Sequence, residues 1–355
     1  MISFLGKRQP REGPRKPVRA LILGGGGARG AYEAGVVAAL TERETFDVIC
    51  GTSIGAINGM FVAQDMADRL HDVWRTISTR GITQLKPELA ALFLFWQAAH
   101  GLLQSPLQRK AAHAMSVLRA LPSLTVAAGI PQLLGIFQND AVRSIVGDLA
   151  NLDAVRRTFI VGATNLSNGR AEPFAYFPSG HESARAAFHA AEIAEPIHAA
   201  NYVAAICASA ALPPVYEPVA ITCADGVTRA FADGGFTNNA PIQQAIDAGA
   251  TEVTAIFVAP SAPCGDERPV GSMVDVFSTM LDANTERMLE LDLKLASRIN
   301  DAVLAGTAPG KRYVSIRVIG PNVPLHLPTL GFDDQEEVDR LFEQGYADGS
   351  AVRAA

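Results

Sequence analysis

The sequence predicts an α/β fold whose central strands run parallel, and the first ordered stretches of the chain carry that prediction. Residues 18–23 form a short apolar run that is typical of a buried strand, and residues 31–40 are rich in helix-forming Ala, Val and Leu. Residues 46–50 repeat the strand pattern and lead directly into a second helical stretch. Alternating strands and helices are typical of a parallel sheet covered by helices.

The alternation resumes after residue 139 and continues towards the end of the chain. Asn168-Gly169 is a turn signal between two predicted strands, Pro213-Pro214 ends a predicted helix, and Asp225-Gly226 predicts a hairpin. The predicted strands are 158–163, 171–177, 215–222, 227–231, 252–258 and 312–319, and the predicted helices are 197–212, 275–303 and 333–345.

Residues 81–138 interrupt this rhythm and predict a helical, apolar insert. Residues 89–108 contain no charged side chain and include Phe93, Phe95 and Trp96, but polar residues interrupt them too often for a membrane span. Basic residues flank the apolar part. We expect either a surface that meets a membrane or an additional helical layer of core.

Composition and charge limit the class of protein. The chain has 355 residues, of which 48% are apolar, so we expect one globular domain over residues 18–355 that includes the insert. The net charge of −6 gives no general attraction to nucleic acid. Residues 1–17 are basic and proline-rich; they predict a flexible arm that either touches anionic lipid or has no partner. The arm lacks the apolar core of a secretory signal. The cysteines lack metal-site spacing and do not require an oxidising compartment, so we expect a cytoplasmic protein.

A G-x-S-x-G pattern lies directly between a predicted strand and a predicted helix. Its members are Gly51, Ser53 and Gly55. In that position a serine stands on a tight turn, small neighbours let substrate approach, and the helix N-terminus favours a developing negative charge. The alternative is an ordinary turn with a helix-capping serine.

A glycine loop (residues 24–27) follows the first predicted strand. Acyl transfer builds an oxyanion that needs donors fixed in advance, and the backbone N–H groups of Gly25, Gly26 and Gly27 could supply them. Arg29 is either an exposed cation, a support for the loop or a contact for an anionic head group. With Gly30, the loop also matches the dinucleotide pattern G-x-G-x-x-G, but no acidic residue lies at the far end of the second strand to bind a ribose.

A serine nucleophile also needs a base, and Asp233 is the best candidate. None of the seven histidines occupies a loop position suited to a triad. Asp233 follows a predicted strand, and Gly234 and Gly235 after it allow a close turn that can aim the carboxylate. The alternative is a turn aspartate that caps the next helix.

In this order, the three motifs resemble the patatin-like phospholipase family, and residues 207–216 and 233–241 resemble that family's sequence around its catalytic aspartate. The resemblance implies a three-layer fold with a mostly parallel sheet. It also implies a Ser–Asp dyad of Ser53 and Asp233, an oxyanion hole at residues 25–27, a lipid substrate, and neither metal nor cofactor. Arg29 falls on the family's basic position.

An acyltransferase or thioesterase using the same dyad remains an alternative function. A nucleotide-binding module is a more remote one. The insert at 81–138 is where this chain departs from the family's pattern; its composition suits either a cap over an acyl pocket that also meets a membrane surface or an additional helical layer of core. The oligomeric state stays open.

Overall fold

The computed structural model describes residues 3–5, 16–81, 137, 139–258, 273–325, 327 and 330–352. Nearly all of the predicted insert, including Phe93, Phe95 and Trp96, lies outside the described residues, as does most of the predicted arm. Within the described part of the chain, no helix is both long enough and apolar enough to span a membrane.

Within the described residues, a central sheet of eleven strands organises the fold. Its strands are β1 (Ser3–Leu5), β2 (Arg19–Leu23), β3 (Val48–Thr52), β4 (Thr158–Asn165), β5 (Arg170–Ala171), β6 (Phe174–Tyr176), β7 (Glu195–Pro196), β8 (Val219–Thr222), β9 (Thr228–Asp233), β10 (Glu252–Ile256) and β11 (Ser315–Ile319). The main path runs β1-β11-β10-β2-β3-β4-β6-β7. The strands β11, β10, β2, β3 and β4 run parallel to one another, which confirms the predicted parallel pairing, whereas β1 and β6 pair antiparallel at the two ends of this set. β8 and β9 form the predicted antiparallel hairpin.

Helices cover both faces of the sheet. They are α1 (Gly30–Thr41), α2 (Ile54–Ala63), α3 (Leu70–Arg80), α4 (Asp140–Leu149), α5 (Glu182–Ala191), α6 (Tyr202–Ser209), α7 (Ile242–Asp247), α8 (Met273–Leu304) and α9 (Gln335–Ala351). Successive residues of β2 point to opposite faces: Leu21 enters one buried apolar cluster and Ile22 enters the other. The first cluster includes residues of α1, α2, α3 and α9, and the second includes residues of α5, α7 and α8. The fold is therefore a three-layer α/β structure, as the resemblance implied.

Several local expectations differ from the structure. Ser3–Leu5, inside the predicted flexible arm, form an edge strand antiparallel to β11, because an edge strand offers unpaired backbone groups to any short extended segment. The strand predicted at 171–177 is divided into β5 and β6, since Pro173 between them has no N–H to donate. The helix predicted at 197–212 shortens to α6. The sequence patterns do not predict α3, α4 and α5, each of which is short and buries only a few residues on one face.

α1 and α9 pack with their backbones in contact. A Cβ on Gly35 of α1 would overlap with the carbonyl O of Phe342, and a Cβ on Gly345 of α9 would overlap with the carbonyl O of Tyr32. Both glycines are therefore needed for the close approach of the two helices, and α9, the last element of the chain, is part of the main core.

We predict that Gly345→Ala lowers the free energy of unfolding by about 2–3 kcal/mol, because the added methyl group must push two backbones apart. Urea denaturation measures this change. Gly147→Ala in α4 is the matched control. A Cβ there meets nothing within 4 Å, so the substitution should instead stabilise the helix by about 0.5–1 kcal/mol. Equal unfolding midpoints for Gly345→Ala and the unaltered protein would contradict the close packing.

Candidate active site

Ser53 stands on the sharp turn between β3 and α2. Its φ of 56° lies in the left-handed region, which is strained for a residue with a side chain. Gly51 and Gly55 flank the turn, and a Cβ at either position would overlap with backbone atoms. The Ser53 side chain makes no capping hydrogen bond to α2. The alternative of an ordinary helix-capping serine is therefore wrong.

A second serine holds this turn in place. The N–H of Ser53 donates to Ser209 Oγ (2.9 Å), and Ser209 Oγ donates to the carbonyl O of Gly162 (2.6 Å). Ser209 is fully buried at the end of α6. Ser209 lies in the run 207–216 that supports the resemblance, but no local sequence pattern indicates its contact with Ser53.

Asp233 is the last residue of β9, is 2% exposed and lies beside Ser53. Its Oδ1 accepts the N–H of Gly235 (2.8 Å), and Ser53 lines the same pocket as its carboxylate. Burial raises the pKa of Asp233 from 3.8 to about 6, and the nearby Ser53 side chain and the Gly235 N–H only partly oppose this rise. The structure therefore brings together the side chains predicted as nucleophile and base.

The two glycines after Asp233 allow a close turn. A Cβ on Gly234 would lie 2.5 Å from the carbonyl O of Gly162, and a Cβ on Gly235 would lie 3.1 Å from Asp233 Oδ1. Asp233 also caps the single 3₁₀ turn that these glycines begin. The capping alternative is thus correct for the 3₁₀ turn, but it does not exclude the contact with Ser53.

The glycine loop connects β2 to the turn before α1 and passes close to Ser53. A Cβ on Gly25 would lie 3.0 Å from Ser53 Cβ. Gly27 has a φ of 59°, which glycine adopts without strain. The Gly25 N–H donates to Asn239 Oδ1 (2.9 Å). Among the residues that the structure describes, the amides of Gly26 and Gly27 have no protein acceptor. The loop thus offers two unoccupied N–H groups, whereas Gly25, predicted as a third donor, already has a partner.

Arg29 is buried and paired, so its interpretation as an exposed cation is wrong. It is 4% exposed. Its guanidinium donates to both carboxylate oxygens of Asp282 on α8 (2.9 and 2.6 Å), and its Nε donates to the carbonyl O of Gly26 (3.3 Å). Arg29 therefore ties the glycine loop to α8.

A buried polar network lies behind the loop. Glu33 on α1 is fully buried, and burial raises the pKa of its carboxyl well above the ordinary value. Its Oε1 accepts from Asn58 Nδ2 (2.8 Å), which also donates to the carbonyl O of Gly30 (3.1 Å). Trp74 Nε1 donates to Asn58 Oδ1 (3.0 Å). These contacts fix the start of α1 directly after the glycine loop. No local sequence pattern indicates the roles of Glu33 and Asn58, because their contact joins two different helices.

Ser53, Asp233 and the glycine loop line one pocket of about 300 Å³. Most of its other walls are apolar and come from several elements: α2, the segment after α6, α8 and the loop before α9. Apolar residues at these positions include Ile54, Ile57, Leu212, Leu289, Leu293 and Phe332. A pocket with a few polar groups in an apolar wall suits a substrate with a hydrocarbon chain and one reactive polar bond.

Among the described residues, one group of three could share a metal ion: Glu172, Glu195 and Cys223. It does not line the pocket of Ser53. Its carboxylates are already engaged: Glu172 accepts from Asn165 Nδ2 (2.8 Å), and Glu195 accepts from the N–H of Ala224 (2.8 Å). We assign no role to this group.

This chain is similar to several known proteins. The family model described as patatin-like phospholipase matches residues 21–246. Lysophospholipase nte1 of Aspergillus terreus is 44% identical over 68 residues, which are 16% of this chain and 4% of that protein. An uncharacterized NTE family protein of Mycobacterium tuberculosis is 29% identical over 287 residues, which cover 78% of this chain and 61% of that protein. The solved structure of VipD from Legionella pneumophila has 14% identity, covers 94% of this chain and 66% of its own, and gives a TM-score of 0.38.

The chain spans only a small part of the fungal relative and about three fifths of the mycobacterial one. The family model, by contrast, covers more than half of this chain, and its range includes the glycine loop, Ser53 and Asp233. This chain belongs to the patatin-like phospholipase family.

Proposed function

We propose that this protein is a serine hydrolase that cleaves acyl esters of phospholipids or related lipids, with Ser53 as nucleophile and Asp233 as base. The observation that carries the proposal is the placement of a serine on a strained turn close to a buried carboxylate, in one pocket with the glycine loop. Family membership and the apolar walls of the pocket support an acyl lipid as the substrate.

The proposed reaction has two halves. Ser53 Oγ bonds to the ester carbonyl carbon while Asp233 accepts the hydroxyl proton, and the loop amides bind the oxyanion. The C–O bond to the leaving alcohol then breaks, and Asp233 returns the proton to that oxygen, which leaves an acyl-Ser53. Water next attacks the acyl carbon, Asp233 accepts its proton, and Ser53 takes that proton back as the fatty acid leaves.

The raised pKa of Asp233 suits it to this work. A free aspartate, with a pKa near 3.9, is a weak base at neutral pH. Burial raises the pKa of Asp233 to about 6, which brings the carboxylate closer to the range where a general base is most effective. Asp233 is still mostly ionised at pH 7.5, so it can accept the proton.

We predict that a fluorophosphonate probe labels Ser53 covalently, because Ser53 Oγ can bond to phosphorus as fluoride leaves. Mass spectrometry of the digested protein locates the label. Ser53→Ala is the blank, and Ser183→Ala, which removes an exposed hydroxyl on α5, is the control variant that should keep the labelled peptide. Equal labelling of Ser53→Ala and the unaltered protein would remove Ser53 from the mechanism.

We predict that kcat/KM for an acyl ester falls as the pH drops through about 6, because protonated Asp233 cannot accept the serine proton. Asp233→Asn should lower kcat by orders of magnitude and abolish this titration. The pH profile of initial rates measures both effects. A profile that stays flat between pH 5 and 8, or near-normal turnover by Asp233→Asn, would exclude Asp233 as the base.

The raised pKa of Asp233 also predicts how the stability of the fold depends on pH. Because folding raises the pKa of Asp233, its ionisation disfavours the folded state: stability is greatest below the unfolded pKa and is lost as the pH rises through about 6. Neutral Asp233→Asn should therefore be more stable than the unaltered protein at pH 8, by up to about 3 kcal/mol, and similar to it at pH 4. A loss of stability at pH 8 would contradict this ionisation cost.

We also propose that residues 81–138 contact a membrane surface and cover the acyl pocket. The apolar, charge-free composition of residues 89–108 motivates the proposal. The combined substitution of Phe95→Ser and Trp96→Ser should reduce vesicle sedimentation and turnover of long-chain esters more than turnover of short-chain esters. Equal losses on both ester lengths would indicate that the segment is only an additional layer of core.

A further inference from the structure

A buried asparagine joins the two halves of the site. Asn239 is 3% exposed and belongs to the turn that follows Asp233. Its Oδ1 accepts the N–H of Gly25 (2.9 Å), and its Nδ2 donates to the carbonyl O of the same glycine (3.4 Å). The two residues are 214 positions apart in the sequence. One side-chain amide therefore pairs with both backbone polar groups of one residue, as a neighbouring strand would.

The surroundings leave this side chain little freedom. A Cβ on Gly24 would lie 3.5 Å from Asn239 Nδ2, and a Cβ on Gly235 would lie 3.0 Å from Asn239 Oδ1. Gly235 is also the residue whose N–H binds Asp233. Asn239 thus touches the glycine loop on one side and the turn of Asp233 on the other.

The contact determines where the next amide points. Gly25 C=O and Gly26 N–H belong to one planar peptide unit, and in a trans peptide these two groups point in opposite directions. A bond from Asn239 Nδ2 to the carbonyl O of Gly25 therefore fixes the direction of the Gly26 N–H. The bond from the Gly25 N–H to Asn239 Oδ1 occupies the donor of Gly25 itself.

We propose that Asn239 is a positioning residue for the oxyanion hole: it occupies the amide of Gly25 and orients the loop so that the amides of Gly26 and Gly27 bind the oxyanion. The inference rests on the proposed function, because the oxyanion forms only if Ser53 attacks a carbonyl carbon. The oxyanion hole then consists of the amides of Gly26 and Gly27, with Gly25 held by Asn239, instead of the three glycine amides that the sequence predicts.

Asn239→Ala should lower kcat roughly 10²-fold, about the effect of losing one oxyanion donor, while KM stays within about threefold, because the oxyanion exists in the transition state and not in bound substrate. The rate of Ser53 labelling by a fluorophosphonate should fall in parallel, since the phosphoryl oxygen occupies the same hole. Time courses of covalent labelling and steady-state kinetics measure the two rates.

Asn238→Ala is the matched control. The Asn238 side chain donates to Gln244 Oε1 (2.9 Å) and does not contact Gly25, so kcat and the labelling rate should stay within about threefold of the unaltered protein. If Asn239→Ala folds normally and reacts as fast as Asn238→Ala, the positioning role is overturned. If the unaltered protein is not labelled at all, the proposed function fails instead.

A measurement on the unaltered protein remains decisive if Asn239→Ala does not fold. In a protein labelled with nitrogen-15 glycine, formation of the fluorophosphonate adduct should shift the amide resonances of Gly26 and Gly27 strongly. The Gly25 resonance should change little, because its proton stays on Asn239 Oδ1. A Gly25 shift as large as that of Gly26 would overturn the inference.

Discussion

Two strand registers at the carboxyl edge of the sheet place Ser53 beside Asp233. In the β3–β4 pair, Thr52 lies opposite Gly162; in the β4–β9 pair, Ala163 lies opposite Asp233. The absence of a side chain at Gly162 allows this junction, since a Cβ there would lie 2.5 Å from Thr52 Oγ1. Its carbonyl O also accepts the Ser209 hydroxyl that holds the Ser53 amide. Because a slip of one residue turns every side chain of a strand to the other face, either register error would separate the hydroxyl from the carboxylate.

The site costs the fold stability in two places. A non-glycine residue in the left-handed region, as at Ser53, costs about 1–3 kcal/mol, and keeping Asp233 ionised at pH 8 costs up to about 3 kcal/mol more. Together these costs are large compared with the free energy of unfolding of a typical domain, roughly 5–15 kcal/mol. The two apolar clusters on opposite faces of the sheet offset them. Both costs concern the proposed chemistry directly, since the strained turn presents the hydroxyl and burial makes the carboxylate a stronger base.

Sequence reasoning could place the parts of the site that are encoded locally. Ser53 and Asp233 each lie at the end of a strand and close to glycines, so a short window contains the whole signal. The partners that hold these parts could not be predicted, because they depend on contacts across the fold: Ser209 meets Ser53 from 156 positions away, and Asp282 meets Arg29 from 253 positions away. The sheet was predictable because central parallel strands are continuous apolar runs. α3, α4 and α5 are harder to predict because each is short and buries only a few residues on one face, which is a weak local signal.

The glycine loop shows why such distant partners are needed. Glycine leaves room for close approach to Ser53, but it also has the greatest backbone freedom of any residue, and an oxyanion hole is effective only when its donors are already oriented. The loop is therefore held from two directions. Asn239 pairs with both polar groups of Gly25, and Arg29, itself fixed by Asp282 of α8, donates to the carbonyl O of Gly26. Since α8 is also a wall of the pocket, the ion pair couples the position of that wall to the direction of the loop amides.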